Sequence, residues 1–407
     1  SGVFAPKFVG KISPAIRSDF DVQISDTYRL LHRYRVGMKL TCNSAILANG
    51  FQTVSGVIPS RTPKEILKNV KLEVFENSIA LIGTDQEVGI RYVISDVDTA
   101  EAGAVLLPAN RVIAILRELR DEAVMLESTG DKVRIKAGHS EFELPLEDPA
   151  EFPSIAEFDA ENYVVVEAPT IRKMIRRTIF ATDAESTRYA LGGILVEASG
   201  ESIKLVATDS RRLALTTAGC TYKGDVAPPE SPPVIPAKAM SMIERSLSDD
   251  DTEVHIAIRD NDILIRSGAS TIYSRLVEGR FPKYEAVIPQ QSAVSLELVV
   301  DPFYSAVRQA QIVTDQESRG VDFNFSPGLL SLDSRAATVG QSRIEVPISY
   351  DGPEIGITFD PRFVGEFLRV LEPERQITLE LTDGESAAAL KTDDGYTYVI
   401  MPLSRDR

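Results

Sequence analysis

The chain has 407 residues, 43% of them hydrophobic and 26% charged, the balance of a soluble globular protein of roughly two to four domains. Its formal net charge of −16 excludes a protein that grips nucleic acid over its whole surface, but not one that gathers its 44 Lys and Arg in one place. No apolar run approaches the roughly 18 residues that span a bilayer, the N-terminus lacks the order of a secretory signal, and Cys42 and Cys220 form no CxxC pair, so the expectation is a cytoplasmic protein with no membrane contact.

Residues 1–37 carry six Lys or Arg against three Asp and show no regular apolar spacing. They read as a flexible leader, or as sequence upstream of the usual start; a basic arm touching an acidic partner is the alternative. From Met38 the chain repeats itself. SIALIGTD from Ser78 returns as SIKLVATD from Ser202, and Glu151-Phe152-Pro153 returns as Arg280-Phe281-Pro282. LLPANRVIAILREL from Leu106 is matched by VIPAKAMSMIERSL from Val234 and, more distantly, by ITFDPRFVGEFLRVL from Ile357. Markers that agree in order and recur at intervals of roughly 125 residues make each copy a domain and not a solenoid unit. The expected boundaries are 38–160, 161–290 and 291–407.

Each copy predicts short alternating strands and two helices, an α+β class. Val254, Ile256 and Ile258 alternate before a polar turn at Asp260-Asn261-Asp262, and Ile377, Leu379 and Leu381 run into an Asp383-Gly384 hairpin signal. Helices are predicted over 44–56, 109–120, 170–180, 237–247, 303–313 and 361–371, the last starting with Asp360 as cap and Pro361 at its first position. In 170–180, Ile171, Met174, Ile175 and Ile179 make one apolar stripe, and Arg172, Lys173, Arg176 and Arg177 fall on the other side with no acid among them. The six helices together hold twelve Lys or Arg against three Glu (Glu118, Glu244 and Glu366) in a chain that is net acidic. Most charge runs are solvated faces, but a solvated face in an acidic protein normally mixes signs.

Catalytic constellations are missing: there is no P-loop, GxGxxG, HExxH or GxSxG, and His32, His139 and His255 stand at no metal-ligand spacing. Asp85 and Asp209 recur with the fold repeat, which favours a structural turn over catalysis. The expectation is a non-enzyme without metal or cofactor.

TRYALGGILVE from Thr187, VATDSRRLAL from Val206, LVEGRFPKYEAVIP from Leu276, SRGV from Ser318 and YTYVIMPL near the end resemble, in order and separation, the bacterial DNA sliding clamps, the beta subunits of DNA polymerase III. The resemblance covers about Met38 to Arg405. It implies the DNA-clamp fold: three similar domains per chain, two chains joined head to tail in a ring, helices lining the hole and sheets outside. Six helices packed ~8–10 Å apart would close too narrow a hole for a duplex, whereas twelve leave a passage tens of Å across. The implied function is a clamp that encircles double-stranded DNA without sequence specificity and tethers the replicative polymerase.

The lumen candidates are then Arg111, Arg117, Arg172, Lys173, Arg176, Arg177, Arg245 and Arg369, with Arg61 at a family position that touches DNA. The resemblance puts Phe142 and Leu144 of the first domain against Ile312 and Val313 of the third at the dimer joint. It also implies a partner-peptide pocket at Leu191, Thr208, Ser210, Arg211, Arg212, Leu213, Pro282, Val287, Phe363, Val399, Met401, Pro402 and Leu403. The DNA polymerase III alpha subunit, the clamp loader, other polymerases and mismatch-repair proteins would use that pocket in turn. Ser210 and Arg211 stand where a relative has Gly and His. A repeat-built peptide-binding scaffold without DNA encirclement is the alternative.

Overall fold

Asn43 ends a strand and opens a helix at once. Its side-chain oxygen accepts hydrogen bonds from the Ala45 and Ile46 backbone N–H groups at 3.0 and 3.1 Å, filling two of the donors that a helix leaves open at its first turn. The helix, α1, runs Ser44–Ser55 and buries Leu47, Phe51 and Val54. Gly50 lets it approach its sheet closely, since a Cβ there would stand 2.7 Å from Leu81 Cδ1.

The structure, a computed structural model, describes residues 37–183, 185, 190–225, 231–314 and 319–404. The expected leader, apart from Gly37, lies outside them, and so does Ser318. Five further helices stand among the described residues: α2 (Ala109–Glu118), α3 (Ala168–Thr178), α4 (Ala237–Ser246), α5 (Val300–Gln311) and α6 (Pro361–Arg369). All overlap their predicted ranges, with ends shifted by no more than a turn. Asp360 caps α6, its carboxylate accepting from the Arg362 N–H at 3.0 Å, with Pro361 at the first position.

The chain divides into two compact units, one ending at Ile155 and one starting at Ala156. In the first, an antiparallel sheet runs in the order Asp98–Glu101, Lys39–Asn43, Ala123–Thr129, Lys132–Ala137, Ser140–Pro145. A second antiparallel run joins Val88–Ser95, Ser78–Thr84, Asn69–Val74 and Gly103–Pro108. Alternation of the Asn69–Val74 type puts Val70, Leu72 and Val74 inside while Lys71 and Glu73 face outward. Burial pushes the Glu73 carboxyl up, but Arg91 and Lys71 beside it outweigh that and hold it below its usual range.

The second unit holds two copies of the same plan. Thr221–Lys223, Tyr163–Glu167, Glu253–Ile258, Asp262–Ser267 and Ser270–Arg275 pair in that order, and Gly340–Pro347, Leu329–Ala336, Val321–Ser326 and Ile355–Phe359 form a four-stranded sheet. Between them an eight-stranded sheet crosses from the central copy to the third. Its order is Val234–Pro236, Gly193–Ser199, Ser202–Thr208, Arg212–Gly219, Tyr396–Ile400, Ala388–Lys391, Gln376–Leu381, Val294–Val299. The crossing pair is antiparallel, with Leu213 opposite Val399. The Asp383-Gly384 signal does mark a connection between paired strands, but a longer one than a two-residue hairpin. It spans residues 382–387, folded on the Asp383 carboxylate, which accepts from the Glu385 and Ser386 N–H groups at 2.8 and 2.6 Å.

The repeated Thr-Asp pair is a turn frame. Thr208 Oγ1 donates to the Arg212 carbonyl at 2.6 Å and accepts from the Ser210 N–H at 3.2 Å, and Asp209 Oδ1 accepts from the Arg211 and Arg212 N–H groups at 3.0 Å each. Thr84 and Asp85 make the same set of bonds around Gln86, Glu87 and Val88. Ser210 (φ 73°) and Gln86 (φ 83°) both sit in the left-handed region. Ser210–Leu213 therefore has a backbone counterpart in the first copy, and only the side chains differ.

Cys42 and Cys220 are both buried and free. Desolvation pushes the Cys42 thiol up to about 12. A thiol-reactive dye at pH 8 is therefore expected to label Cys42 only as the protein unfolds in denaturant. Prompt labelling of the native protein would show the burial to be wrong.

Candidate functional site

The strand pair that joins the central and third copies also makes a cleft. Thr208, Ser210, Arg211, Arg212, Leu213, Pro282, Val287, Val399 and Met401 line it, together with Lys283 and Tyr284. Leu213 and Val399 belong to one buried apolar cluster with Ala190, Leu195, Val206, Val234 and Tyr284. The cleft therefore has a floor that is part of the core, while Val287 and Met401 stay exposed at its mouth. An apolar floor with a few polar groups around it can bind and orient a short ligand. A Leu or Phe anchor fully buried there contributes about 1.5–3 kcal/mol.

Arg212 holds the wall. Its side chain is 8% exposed, its Nε donates to Asp209 at 2.9 Å, its Nη2 donates to the Phe180 carbonyl at 2.6 Å, and its Nη1 bonds Glu366 of α6. The guanidinium lies 4.3 Å from the Phe363 ring centroid and 5.4 Å from that of Phe180. Burial works against the Arg212 charge, but Tyr398 and Glu366 outweigh it and hold the proton on. Tyr284 donates to Glu197 at 2.7 Å, and burial together with that carboxylate pushes its hydroxyl well up.

Four of the expected pocket residues do not line the cleft. Leu191 is buried and accepts the Asp183 N–H at 2.8 Å through its carbonyl. Phe363 is half-buried, with its ring against the Arg212 guanidinium. Pro402 and Leu403 are half-buried beyond Met401, with the Leu403 N–H donating to Thr358 at 2.9 Å.

The basic face of α3 is less bare than its sequence. Arg176 is 61% exposed and pairs with Glu244 at 2.7 Å, and Lys173 is exposed and reaches Asp394 at 2.7 Å. Arg172 donates to the Leu247 and Ser248 carbonyls at 2.7 and 3.0 Å and pairs with Asp249 at 3.0 Å, so it closes the C-terminal end of α4. Arg177 is the correction. It is 2% exposed, bonded to Asp394 at 3.0 Å and stacked 4.9 Å from the Tyr396 ring, whose hydroxyl donates to the Arg177 carbonyl at 2.7 Å. A buried guanidinium cannot reach a phosphate without leaving its site, so Arg177 is a core residue and not an open cation. Arg61, Arg111, Arg117, Arg245 and Arg369 are exposed.

Residues 38–156 match the DNA polymerase III beta subunit, N-terminal domain, residues 165–283 its central domain, and residues 285–404 its C-terminal domain. The chain belongs to the DNA polymerase III beta subunit family. It is 29% identical over 369 residues to the beta sliding clamp of Escherichia coli (strain K12), covering 90% of this chain and 100% of the relative. It is 30% identical over 373 residues to that of Pseudomonas putida, covering 90% and 100%. Among solved structures, the DNA polymerase III subunit beta of Pseudomonas aeruginosa is 29% identical, covers 90% of this chain and 100% of its own, and superposes with a TM-score of 0.83. A sliding clamp from the same organism bound to griselimycin gives 0.84.

As a member of the beta sliding clamps the chain is a processivity factor of DNA replication, a partner of DNA and polymerase, and not an enzyme. Among the described residues no helix is long and apolar enough to cross a membrane. The remaining site expectations concern the expected dimer joint. Phe142 and Leu144 lie on Ser140–Pro145, an edge strand of the first unit. Ile312 follows α5 and is 75% exposed, and Val313 is half-buried. Lys283 and Tyr284 are the cleft residues that the sequence did not single out. They directly follow Pro282 of a repeat marker, and that adjacency was the available signal.

Ser210 carries a side chain in a backbone region that costs an L-residue about 1–2 kcal/mol, and its own hydroxyl is not part of the turn frame. Ser210→Gly relieves that cost and adds flexibility to the unfolded chain, so a net gain of about 0.5 kcal/mol, or roughly 1–2 °C in Tm, is expected by calorimetry. A fall in Tm would mean that the serine side chain has a bonding role in the turn.

Proposed function

We propose that two chains close head to tail into a ring around duplex DNA, that the helices face the phosphates, and that the cleft holds the polymerase and its competitors one at a time. The observation that carries the reading is charge placement. In a chain of net charge −16, Arg111, Arg117, Lys173, Arg176, Arg245 and Arg369 are exposed cations on helices. Phosphate contacts carry no sequence information and weaken with salt, so a sparse set of exposed cations suits a ring that slides, while topology prevents escape. Arg61, and Arg172 once freed from the end of α4, extend the set.

The joint in this reading sets Phe142 and Leu144 on their edge strand against Ile312 and Val313, apolar side chains that are costly to leave in water. The cleft serves the polymerase III alpha subunit, the clamp loader, other polymerases and mismatch-repair proteins, in a bacterial cytoplasm at the nucleoid. Apolar contacts in the cleft come from Leu213, Val399, Pro282, Val287 and Met401.

The test is sedimentation together with retention on DNA. A dimer is expected at micromolar concentration, kept on closed circular DNA after loading and lost when the circle is cut. Lys173→Glu combined with Arg176→Glu is expected to lower loading and polymerase stimulation several-fold. A monomer that leaves linear and circular DNA equally fast, indifferent to that charge reversal, would instead favour the scaffold reading.

A further inference from the structure

We propose that Glu244 sets how lightly the ring holds DNA, by sharing the Arg176 guanidinium with each phosphate that passes. The inference rests on the reading of the exposed helix cations as the DNA-facing set. Those cations are in two electrostatic states. No ion pair occupies Arg111, Arg245 or Arg369 among the described residues, whereas Lys173 and Arg176 on α3 each hold a carboxylate at 2.7 Å.

The carboxylates on this face differ as well. Asp394 also bonds the buried Arg177, Arg375 and Thr392, so it has a structural task. Asp249 fastens Arg172, which closes the end of α4. Glu244 bonds Arg176 and nothing else among the described residues. Of the other two Glu on the helices, Glu366 holds the cleft wall and Glu118 is exposed at the last position of α2. An acid beside a DNA-facing cation, with no second partner, has its effect through that cation.

Arg176 gives Glu244 its Nε, and its two Nη groups bond no other group among the described residues. A phosphate can therefore take the tips of the guanidinium while the carboxylate keeps its Nε side. One positive charge then serves two anions that repel each other, so the contact is weaker than at an unshared arginine. Arg176 is 61% exposed, and a pair so open to water breaks and re-forms readily. Arg176 thus releases each phosphate to the next instead of anchoring it.

Tracking single labelled rings of the full chain on stretched duplex DNA tests this. Glu244→Gln keeps the shape of the side chain and removes its charge. At low salt its one-dimensional diffusion is expected to be about two- to fivefold slower than that of the wild type, with the difference shrinking as salt rises. Glu244→Ala, which cannot bond Arg176 at all, is expected to slow it equally. Arg176→Gln is expected to diffuse faster than the wild type, and adding Glu244→Gln to it is expected to change nothing more. Unchanged or faster diffusion in both Glu244 variants, with faster diffusion in Arg176→Gln, overturns the proposal and leaves α3 in the DNA-facing set. Slowing that persists in the double variant overturns it too, because Glu244 would then act without Arg176. Unchanged diffusion in Arg176→Gln removes that residue from the DNA-facing set, and the proposal with it.

Discussion

Arg212→Ala is expected to lose about 2–4 kcal/mol of stability and to weaken peptide binding in the cleft at least tenfold. Breaking a buried ion pair by removing one partner typically costs about 3–5 kcal/mol. The figure is set lower here because Glu366, one of the two carboxylates left behind, is 35% exposed and recovers water. What remains is the Asp209 carboxylate without its guanidinium, the Phe180 carbonyl without its donor, and two aromatic rings without the plane between them. Because Arg212 is adjacent to Leu213 in the strand that crosses between the copies, the floor of the cleft shifts with it. Urea unfolding and peptide anisotropy check the two parts separately. A variant as stable as the wild type, with an unchanged Kd, would show that Arg212 is a bystander. Arg212→Lys is expected to lie between, since an ammonium cannot bond three partners in a plane.

Arg177 gives the opposite forecast. Its Nε and Nη2 have no hydrogen-bond partner among the described residues, and Asp394 keeps Lys173 and Arg375 as partners without it. Arg177→Met therefore replaces an incompletely satisfied buried charge by an apolar chain of similar length. The expected outcome is a protein as stable as the wild type or about 1 kcal/mol more stable. Arg177→Ala leaves a cavity instead and is expected to lose about 2–3 kcal/mol. Retention on circular DNA is expected to survive Arg177→Met and to fall with Lys173→Glu combined with Arg176→Glu. A DNA defect in Arg177→Met at unchanged stability would return Arg177 to the DNA-facing set.

Acid provides a further check on the same cluster. Burial pushes the Asp394 carboxyl up, but hydrogen bonds from Arg177, Lys173 and Thr392 outweigh it and hold it well below the usual carboxylate range. A carboxyl depressed in the folded state contributes stability that is complete above its unfolded pKa, about 3.9, and is lost as pH falls further. In Asp394→Asn the decline of stability below about pH 4 is expected to be shallower than in the wild type.

The three-copy plan and the six helices could be read from the sequence because each is a local or repeated pattern, whereas the cleft residues were expected only from the resemblance to the clamp family. The 3.6-residue stripe of Ile171, Met174 and Ile175 fixes where α3 points, and the Thr-Asp pair marks its turn twice. Arg177 could not be placed in the same way. It stands three residues after Met174, at the margin of the stripe, and a helix considered alone puts such a residue on the polar side. What buries it is the Thr392–Tyr396 turn of another domain, more than two hundred residues away in the chain. The acids opposite Arg172, Lys173 and Arg176 were hidden for the same reason, since Asp249, Asp394 and Glu244 come from other segments. Leu191 is buried and Phe363 is half-buried against Arg212, a difference in exposure that spacing along a chain does not encode.

The paired Thr-Asp turns have a consequence for how such a site can change. The frame at Thr208 and Asp209 is built from two side chains and the backbone alone, and the first copy carries the same frame with Gln86 and Glu87 in the variable seats. The seats at 210 and 211 are therefore interchangeable parts in a fixed socket. A lineage can exchange them to retune which ligands dock without renegotiating the fold, and an engineer can graft them from one copy to another for the same end.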